Sequence, residues 1–325
     1  MSEKKNGGTV AYSVVFGILL LMPIMLRNNS YVLQVMMMCL IWGSVVASWD
    51  LIFGYAGISS FGQIAFFTIG AFGSAIFSMK LGFSPWLAMP MGGILAAITG
   101  VLIGLPCLKL QGLYVALVTF AMHMTLPALI TAGGEIGTGG AHSLTGIPSL
   151  EFAGVTFSVV NRVPATYLAL GIFFLSVIIV HKVIRSNVGL AFVALRDSEL
   201  FAKCMGVNDY WFKLMVFGLS AFLTGMVGAF YAHYFGLISS RLLGLDNFVL
   251  LLVILITGGL GRFPGVVISA FIFTILNEFL RPLEMFRPLI FGTITVLIII
   301  LMPEGITEIW IYIKRYSSRK FIQNN

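Results

Sequence analysis

Long apolar segments follow one another along almost the whole of this 325-residue chain and limit its fold more than any other feature. A bilayer core about 30 Å thick is crossed by roughly 20 mostly apolar residues in a helix. Only 10% of the residues are charged, against about 25% in a soluble domain. The sequence therefore predicts an all-α integral membrane protein with about ten transmembrane helices. The ten segments are 10–26, 31–53, 58–79, 85–108, 112–132, 165–184, 213–237, 247–260, 263–280 and 287–302.

The distribution of lysine and arginine predicts how these helices are oriented. If both termini are cytoplasmic, 13 of the 19 basic residues fall on the inner side and 6 on the outer side, as the positive-inside rule requires. We therefore expect residues 1–9 to be a cytoplasmic N-terminus, 10–302 a transmembrane domain and 303–325 a basic cytoplasmic tail. The basic residues are scattered between apolar segments, so the net charge of +7 does not indicate a nucleic-acid partner.

Two connections are much longer than the others. The segment 133–164 is expected outside the membrane, and its seven glycines predict irregular structure. The segment 185–212, here called loop 185–212, is expected in the cytoplasm. Asp197 or Ser198 can cap a short helix over about 198–205, and Gly206 can end it. A capped, charged helix between two membrane spans indicates a docking partner.

A glycine motif occurs twice, 204 residues apart. Gly54-Tyr55-Ala56-Gly57 and Gly258-Gly259-Leu260-Gly261 each precede an apolar helix on the predicted cytoplasmic side. Matching interruptions in two halves are typical of broken helices in a duplicated transporter fold. Glycine-rich turns also recur in any compact helical membrane protein, so both interpretations stay open.

Enzymatic motifs are absent from the sequence. No G-x-x-x-x-G-K-[ST] loop is present to bind ATP phosphates, and no H-E-x-x-H or G-x-S-x-G motif occurs. We expect no catalytic residue, no metal site and no cofactor in this chain.

Polar groups inside membrane segments are the default functional candidates. Asp50 and Glu278 lie near segment ends, where both can reach the interface. His123 lies near mid-span, in either a hydrogen-bonded structural role or a pore-lining role. A mid-membrane carboxylate, as a proton- or sodium-coupled carrier requires, is not evident. The candidate substrate-pathway residues are Ser60, Gly62, Gln63, Thr119, His123, Gly258 and Gly259.

The order of several short motifs resembles one protein family. They are Gly54-Tyr55-Ala56-Gly57, Gly112-Leu113-Tyr114, Thr138-Gly139-Gly140, 144–148, 189–199, Gly258-Gly259-Leu260-Gly261 and Pro303-Glu304-Gly305-Ile306. Each is weak alone, but together, over about residues 50–306, they resemble the LivM-type permeases of branched-chain amino acid ABC importers.

This resemblance implies a set of partners in a bacterial inner membrane. A shorter homologous permease would complete the pore, and two cytoplasmic ATPase subunits holding ATP and Mg²⁺ would dock on loop 185–212. A periplasmic or lipid-anchored solute-binding protein would deliver the substrate. The residues that would couple this chain to the ATPases are Arg196, Asp197, Ser198, Glu199, Lys203 and Gly206.

The chain also departs from the family pattern. Ile58 stands where the family often has a polar residue, and Asp50 stands where asparagine is common. Permeases for urea and short-chain amides share much of the same pattern, so the substrate has this alternative. A stand-alone secondary carrier or channel is the other alternative function.

Overall fold

A computed structural model describes residues 19–110, 112–140, 142–301 and Gly305. The predicted N-terminus 1–9, most of segment 10–26 and all of the tail except Gly305 lie outside these residues. A helical stretch over 19–25 precedes the named helices. These are α1 Ser30–Asp50, α2 Gln63–Lys80, α3 Pro85–Cys107, α4 Leu113–Ala132, α5 Arg162–Arg185, α6 Asn187–Asp197, α7 Glu199–Cys204, α8 Asp209–Phe235, α9 Leu245–Gly258, α10 Gly265–Phe279 and α11 Arg287–Leu301.

Within the described part of the chain, five helices are long and apolar enough to cross a membrane. They are Ser30–Tyr55, which includes a π-helical turn after α1, and α3, α4, α5 and α8. Shorter apolar helices cover Leu245–Gly258, Gly265–Phe279 and Leu289–Ile298. Every predicted segment from 31–53 onward contains a helix. The count of ten spans and the cytoplasmic location of both termini stay predictions.

Helix α8 lies at the centre of the fold, packed against α2 and α3. Glycines let these backbones approach closely: a Cβ atom on Gly70 would overlap the backbone of Gly225 in α8. A Cβ atom on Gly228 would likewise overlap the backbone of Phe67. Lipid provides no hydrophobic driving force for helix association. Close van der Waals packing at small residues stabilises these helix crossings instead.

The predicted outer loop 133–164 is more ordered than its glycines suggest. A π-helical turn covers Gly134–Thr138, and strands β2 (Leu150–Phe152) and β3 (Val155–Phe157) form an antiparallel pair. Strand β1 (Leu144–Thr145) pairs with β4 (Leu237–Ile238), which follows α8. The structure is mostly helical, in agreement with the all-α prediction, and these strands of two or three residues are too short to leave a periodic signal in the sequence. Two short 3₁₀ helices complete the described elements: Ser240–Leu243, and Arg281–Phe286 with a kink at Leu283.

Loop 185–212 contains two helices where one was predicted. The capping prediction is confirmed: Ser198 accepts a hydrogen bond from the Phe201 backbone N–H at 3.3 Å, and Gly206 has the left-handed φ of 85°. Helix α6 was missed. Its buried residues, Gly189, Ala191, Phe192 and Leu195, face the protein, so tertiary packing stabilises a helix that has no cap of its own.

Candidate functional site

Three parts of the chain meet beside the π-helical turn Leu51–Tyr55. The Arg196 guanidinium, at the end of α6, donates a hydrogen bond to the Gly54 carbonyl at 3.0 Å. The Gly261 N–H, in the turn between α9 and α10, donates to the Asp50 carboxylate at 2.8 Å. We call Asp50, Gly54, Tyr55, Arg196 and Gly261 the glycine junction. These contacts connect loop 185–212 to both glycine motifs, the one in the π-helical turn and the one between α9 and α10.

Glycine is required at the centre of this junction. A Cβ atom on Gly54 would overlap the Asp50 carboxylate and the Gly261 backbone. Tyr55 extends the contact, since its hydroxyl oxygen accepts a hydrogen bond from the Phe263 N–H at 3.1 Å. The two glycine motifs noted in the sequence are therefore in direct contact. Whether the two halves are duplicates stays a prediction.

Asp50, which the sequence places at the end of its apolar segment, is buried inside the protein. The residue is 1% exposed, and its Oδ2 atom has no hydrogen-bond partner among the described residues. The Arg196 charge is close enough to attract it electrostatically. A buried carboxylate needs such compensation, so Arg196 supports Asp50 while it also binds Gly54.

An ion-pair network ties α7 to the start of α8. Glu199 lies 2.8 Å from the Lys203 amine and 2.7 Å from the Lys213 amine, and Lys203 lies 2.9 Å from Asp209. The hydrogen bond from Lys203, and then that from Lys213, lowers the pKa of Glu199 to about 2. Single exposed ion pairs contribute little, but this network joins two helices through shared charges. Helix α7 is thus attached to a membrane helix by polar contacts.

Five of the six predicted coupling residues are exposed and Glu199 is half-buried, and several of them also form bonds within the protein. Arg196 binds Gly54 and also pairs with Asp197 at 3.1 Å, and Ser198 caps α7. Helix α7 and Met205, which follows it, expose three large apolar side chains beside Lys203: Leu200, Phe201 and Met205 are 77%, 67% and 72% exposed. Exposed apolar side chains grouped on one short helix mark an interaction surface. The sequence analysis missed them, although three large apolar residues in a charged loop were a usable signal.

Aromatic rings close the space beside the junction. Six of them form a cluster with centroid separations of 5.3 to 6.4 Å, and we call Trp49, Phe53, Phe61, Phe120, His123 and Phe248 the aromatic cluster. His123 is fully buried between Phe120 and Phe248. Neither ring nitrogen has a hydrogen-bond partner within the described part of the chain, and the Leu243 backbone lies nearby outside hydrogen-bonding geometry. The hydrogen-bonded role and the pore-lining role of His123 both stay predictions.

Three more predicted pathway residues lie at the aromatic cluster. The Thr119 hydroxyl oxygen accepts a hydrogen bond from the Phe61 N–H at 2.9 Å, and the position of a Cβ on Gly62 lies 3.7 Å from Thr119. The Ser60 carbonyl accepts from the Trp49 indole at 2.7 Å. The Ser60 hydroxyl is buried and has no partner among the described residues. Ser60 and His123 thus bring unpartnered buried polar atoms to this cluster, while Ser176 and Thr274 carry such atoms elsewhere among the described residues.

The remaining predicted pathway residues lie elsewhere. The Gln63 amide donates to the Ser220 hydroxyl at 3.1 Å and to the Thr224 hydroxyl, so it bonds to α8. A Cβ atom on Gly258 would overlap Val266, and Gly259 lies against Gly305. The predicted set therefore separates into residues at the aromatic cluster and residues at helix contacts.

A cavity of about 300 Å³ separates loop 185–212 from the non-helical segment that follows the π-helical turn. Gly57 and Ser59 line one side, and Arg196, Glu199 and Lys213 line the other. Among the described residues, no three His, Cys, Asp or Glu side chains come together as metal ligands would. Any movement of loop 185–212 against the helix break changes the volume of this cavity.

Comparison with known protein sequences matches this chain to one family of transport proteins. The sequence model of the family described as "Branched-chain amino acid transport system / permease component" matches residues 31–303. The high-affinity branched-chain amino acid transport system permease protein LivM of Escherichia coli is 28% identical over 278 residues, which cover 79% of this chain and 65% of that protein. The LivM protein of Salmonella typhimurium is 27% identical over 326 residues, which cover 93% of this chain and 76% of that protein. No solved structure gave a significant match.

Proposed function

Because this chain belongs to the family of branched-chain amino acid transport permeases, we propose that it forms part of the pore of an ATP-driven importer for branched-chain or related amino acids. It is a multi-pass membrane protein of a transport family, and the proposed location is a bacterial inner membrane. The proposed partners are a second homologous permease, two cytoplasmic ATPase subunits that hold ATP and Mg²⁺, and a solute-binding protein. The matched region spans about 65% of the length of the E. coli relative.

One contact supports the coupling part of this proposal most strongly. The Arg196 hydrogen bond to Gly54 connects loop 185–212 to the helix break, and Asp50 and Gly261 extend this connection to the second break. When closing ATPases move α6 and α7, these bonds transmit the displacement to both interrupted helices. The exposed Leu200, Phe201 and Met205 give the ATPase an apolar contact.

The aromatic cluster is the proposed closed point of the substrate path. A buried polar group without a hydrogen bond costs about 1–3 kcal/mol, and both His123 and the Ser60 hydroxyl are in this condition. The charged head of a passing amino acid would provide their missing partners, while the rings would contact its apolar side chain. We assign Gln63, Gly258 and Gly259 to helix packing around this path.

Charge reversal tests the coupling. In the assembled transporter, Arg196→Glu and Glu199→Lys are each expected to leave membrane insertion and ATPase binding intact while ATP hydrolysis no longer drives uptake. Lys182→Glu is the matched control, because Lys182 is an exposed basic residue of α5 outside the network. Uptake per ATP equal to wild type in both reversed variants would contradict the proposal.

Competition for uptake tests the substrate class. Cells that carry the whole system take up labelled leucine, with unlabelled leucine, urea or short amides as competitors. We expect leucine to compete and urea not to compete. If urea or acetamide competes more strongly than leucine, the proposed amino acid substrate is wrong and the importer carries urea or short amides instead. Nucleotide-independent transport by the isolated chain in liposomes would instead favour a secondary carrier.

A further inference from the structure

A second, smaller cleft lies at the ends of α9 and α10 opposite to those that flank Gly261, where α9 and α11 begin and α10 nears its end. Its volume is about 70 Å³, and its polar lining consists of Asp246, Asn247, Asn277 and Arg287. In the predicted orientation these helix ends face the outside of the membrane, where a substrate arrives. The mechanism proposed above uses none of these residues.

The two charged groups in this cleft are not neutralised by described neighbours. Within the described residues, Asp246 forms no ion pair and no hydrogen bond with Arg287 or with any other group, and Arg287 donates only to the Leu280 carbonyl at 3.4 Å. Glu278 and Arg281, in the same outer region, do pair at 3.0 Å. The cleft therefore presents one carboxylate and one guanidinium to whatever enters it.

The size of the cleft suits the head of an amino acid. A volume of 70 Å³ holds roughly five to seven water-sized groups, and the ammonium nitrogen, Cα and carboxylate together contain five heavy atoms. A guanidinium binds a carboxylate with paired hydrogen bonds, and a carboxylate accepts hydrogen bonds from an ammonium group. Leu250 and Phe291, each 3% exposed, lie in the lining and can contact an apolar side chain.

We infer that this cleft binds the zwitterionic head of a free amino acid on the outer side of the permease, with Arg287 on the carboxylate and Asp246 on the ammonium group. The inference rests on the proposed function and on the predicted orientation of α9, α10 and α11. It adds a first binding position, on this chain, that precedes the aromatic cluster along the path.

Direct binding to the assembled transporter, without a solute-binding protein, tests this site. The probe is labelled L-leucine, and the competitors are 4-methylpentanoate, which lacks the ammonium group, and 3-methylbutylamine, which lacks the carboxylate. We expect leucine to bind and each competitor to displace it poorly. Arg287→Gln and Asp246→Asn should each weaken leucine binding by about tenfold or more, because each removes one charged partner.

Arg281→Gln is the matched control, since Arg281 lies in the same outer region, is largely exposed and does not line the cleft. Its leucine binding should stay equal to wild type. Gel filtration confirms that each variant complex is assembled. Unchanged leucine binding in Arg287→Gln and Asp246→Asn, or displacement by 4-methylpentanoate as strong as by leucine, overturns the inference. If wild-type cells also fail to take up leucine, the proposed function fails, whereas normal uptake with unchanged binding in the variants refutes only the cleft.

Discussion

At the scale of single residues, close backbone approach and unpaired polar groups determine which substitutions this protein tolerates. Gly54 has no space for a side chain because Asp50 and Gly261 occupy its surroundings. His123 and His233 are both fully buried, yet only His233 has partners: the Ser74 hydroxyl and the Pro148 carbonyl, each at 2.7 Å. The crowding at Gly54 and the difference between the two histidines lead to two predictions, each with a control variant.

Gly54→Ala should destabilise the protein, because the added methyl group forces apart the backbone contact at the glycine junction. Overpacking of this kind costs about 1–3 kcal/mol, measured as a lower midpoint of thermal unfolding in detergent. Gly171→Ala is the control, since nothing lies within 4 Å of a Cβ at that helical position. Equal unfolding midpoints for Gly54→Ala and wild type would show that the junction is looser than described.

His123→Phe should keep or raise thermal stability while it lowers uptake. The substitution removes a buried polar group without partners, whose cost is about 1–3 kcal/mol, and also removes the proposed polar contact for substrate. His233→Phe should instead lower stability, because it leaves the Ser74 hydroxyl and the Pro148 carbonyl unpaired. Thermal unfolding and leucine uptake are measured on the same preparations. Full uptake by His123→Phe would exclude that residue from the path.

At the scale of elements, α7 is held by charges rather than by a large apolar core. Ala202 is its only buried residue, among the described residues of that helix, while Glu199 binds two lysines. Hydrogen bonds lower the pKa of Glu199 to about 2 from an ordinary value of 4.5. The stabilisation from this carboxylate is therefore complete above pH 4.5 and is lost as the pH falls toward 2.

Glu199→Gln should loosen α7 at neutral pH, because the neutral amide mimics the protonated acid. Backbone hydrogen exchange over 199–204 should become faster, whereas exchange in α8 beyond its first turn should not change. Asp197→Asn is the control, since Asp197 pairs only with Arg196 and is 64% exposed. In the wild type, protection corrected for intrinsic exchange should be the same at pH 7 and pH 5. A decrease between these values would contradict the assigned pKa direction.

At the scale of the whole molecule, the three free cysteines can be used to test how the protein is oriented in the membrane. Cys204 is exposed on α7, whereas Cys39 and Cys107 are buried. A membrane-impermeant maleimide should modify Cys204 only from the cytoplasmic side, in inverted vesicles. Val160→Cys, at a position that is 89% exposed in the outer loop, should react in intact cells instead. Modification of Cys204 from outside would reverse the predicted topology and remove the basis for ATPase docking on loop 185–212.

Much of the fold could be predicted from the sequence because its signals are local. Apolar length located the helices, and side-chain capping located the start of α7 at Ser198. The missed elements depend on remote partners. Helix α6 is stabilised by its buried face, and strand β1 by pairing with β4.

The candidate site also combines features with local signals in the sequence and features that depend on remote contacts. The sequence by itself determined that the chain is a membrane protein, that glycine motifs interrupt two apolar segments and that loop 185–212 is polar, because composition and short-range spacing carry this information. Only the tertiary structure decided that Arg196 points inward to Gly54, that Asp50 is buried and that His123 lies unpaired among aromatic rings. Those facts depend on remote contacts such as Arg196 with Gly54, Asp50 with Gly261 and His123 with Phe248. The energy of such contacts is set by three-dimensional proximity, which no local pattern encodes.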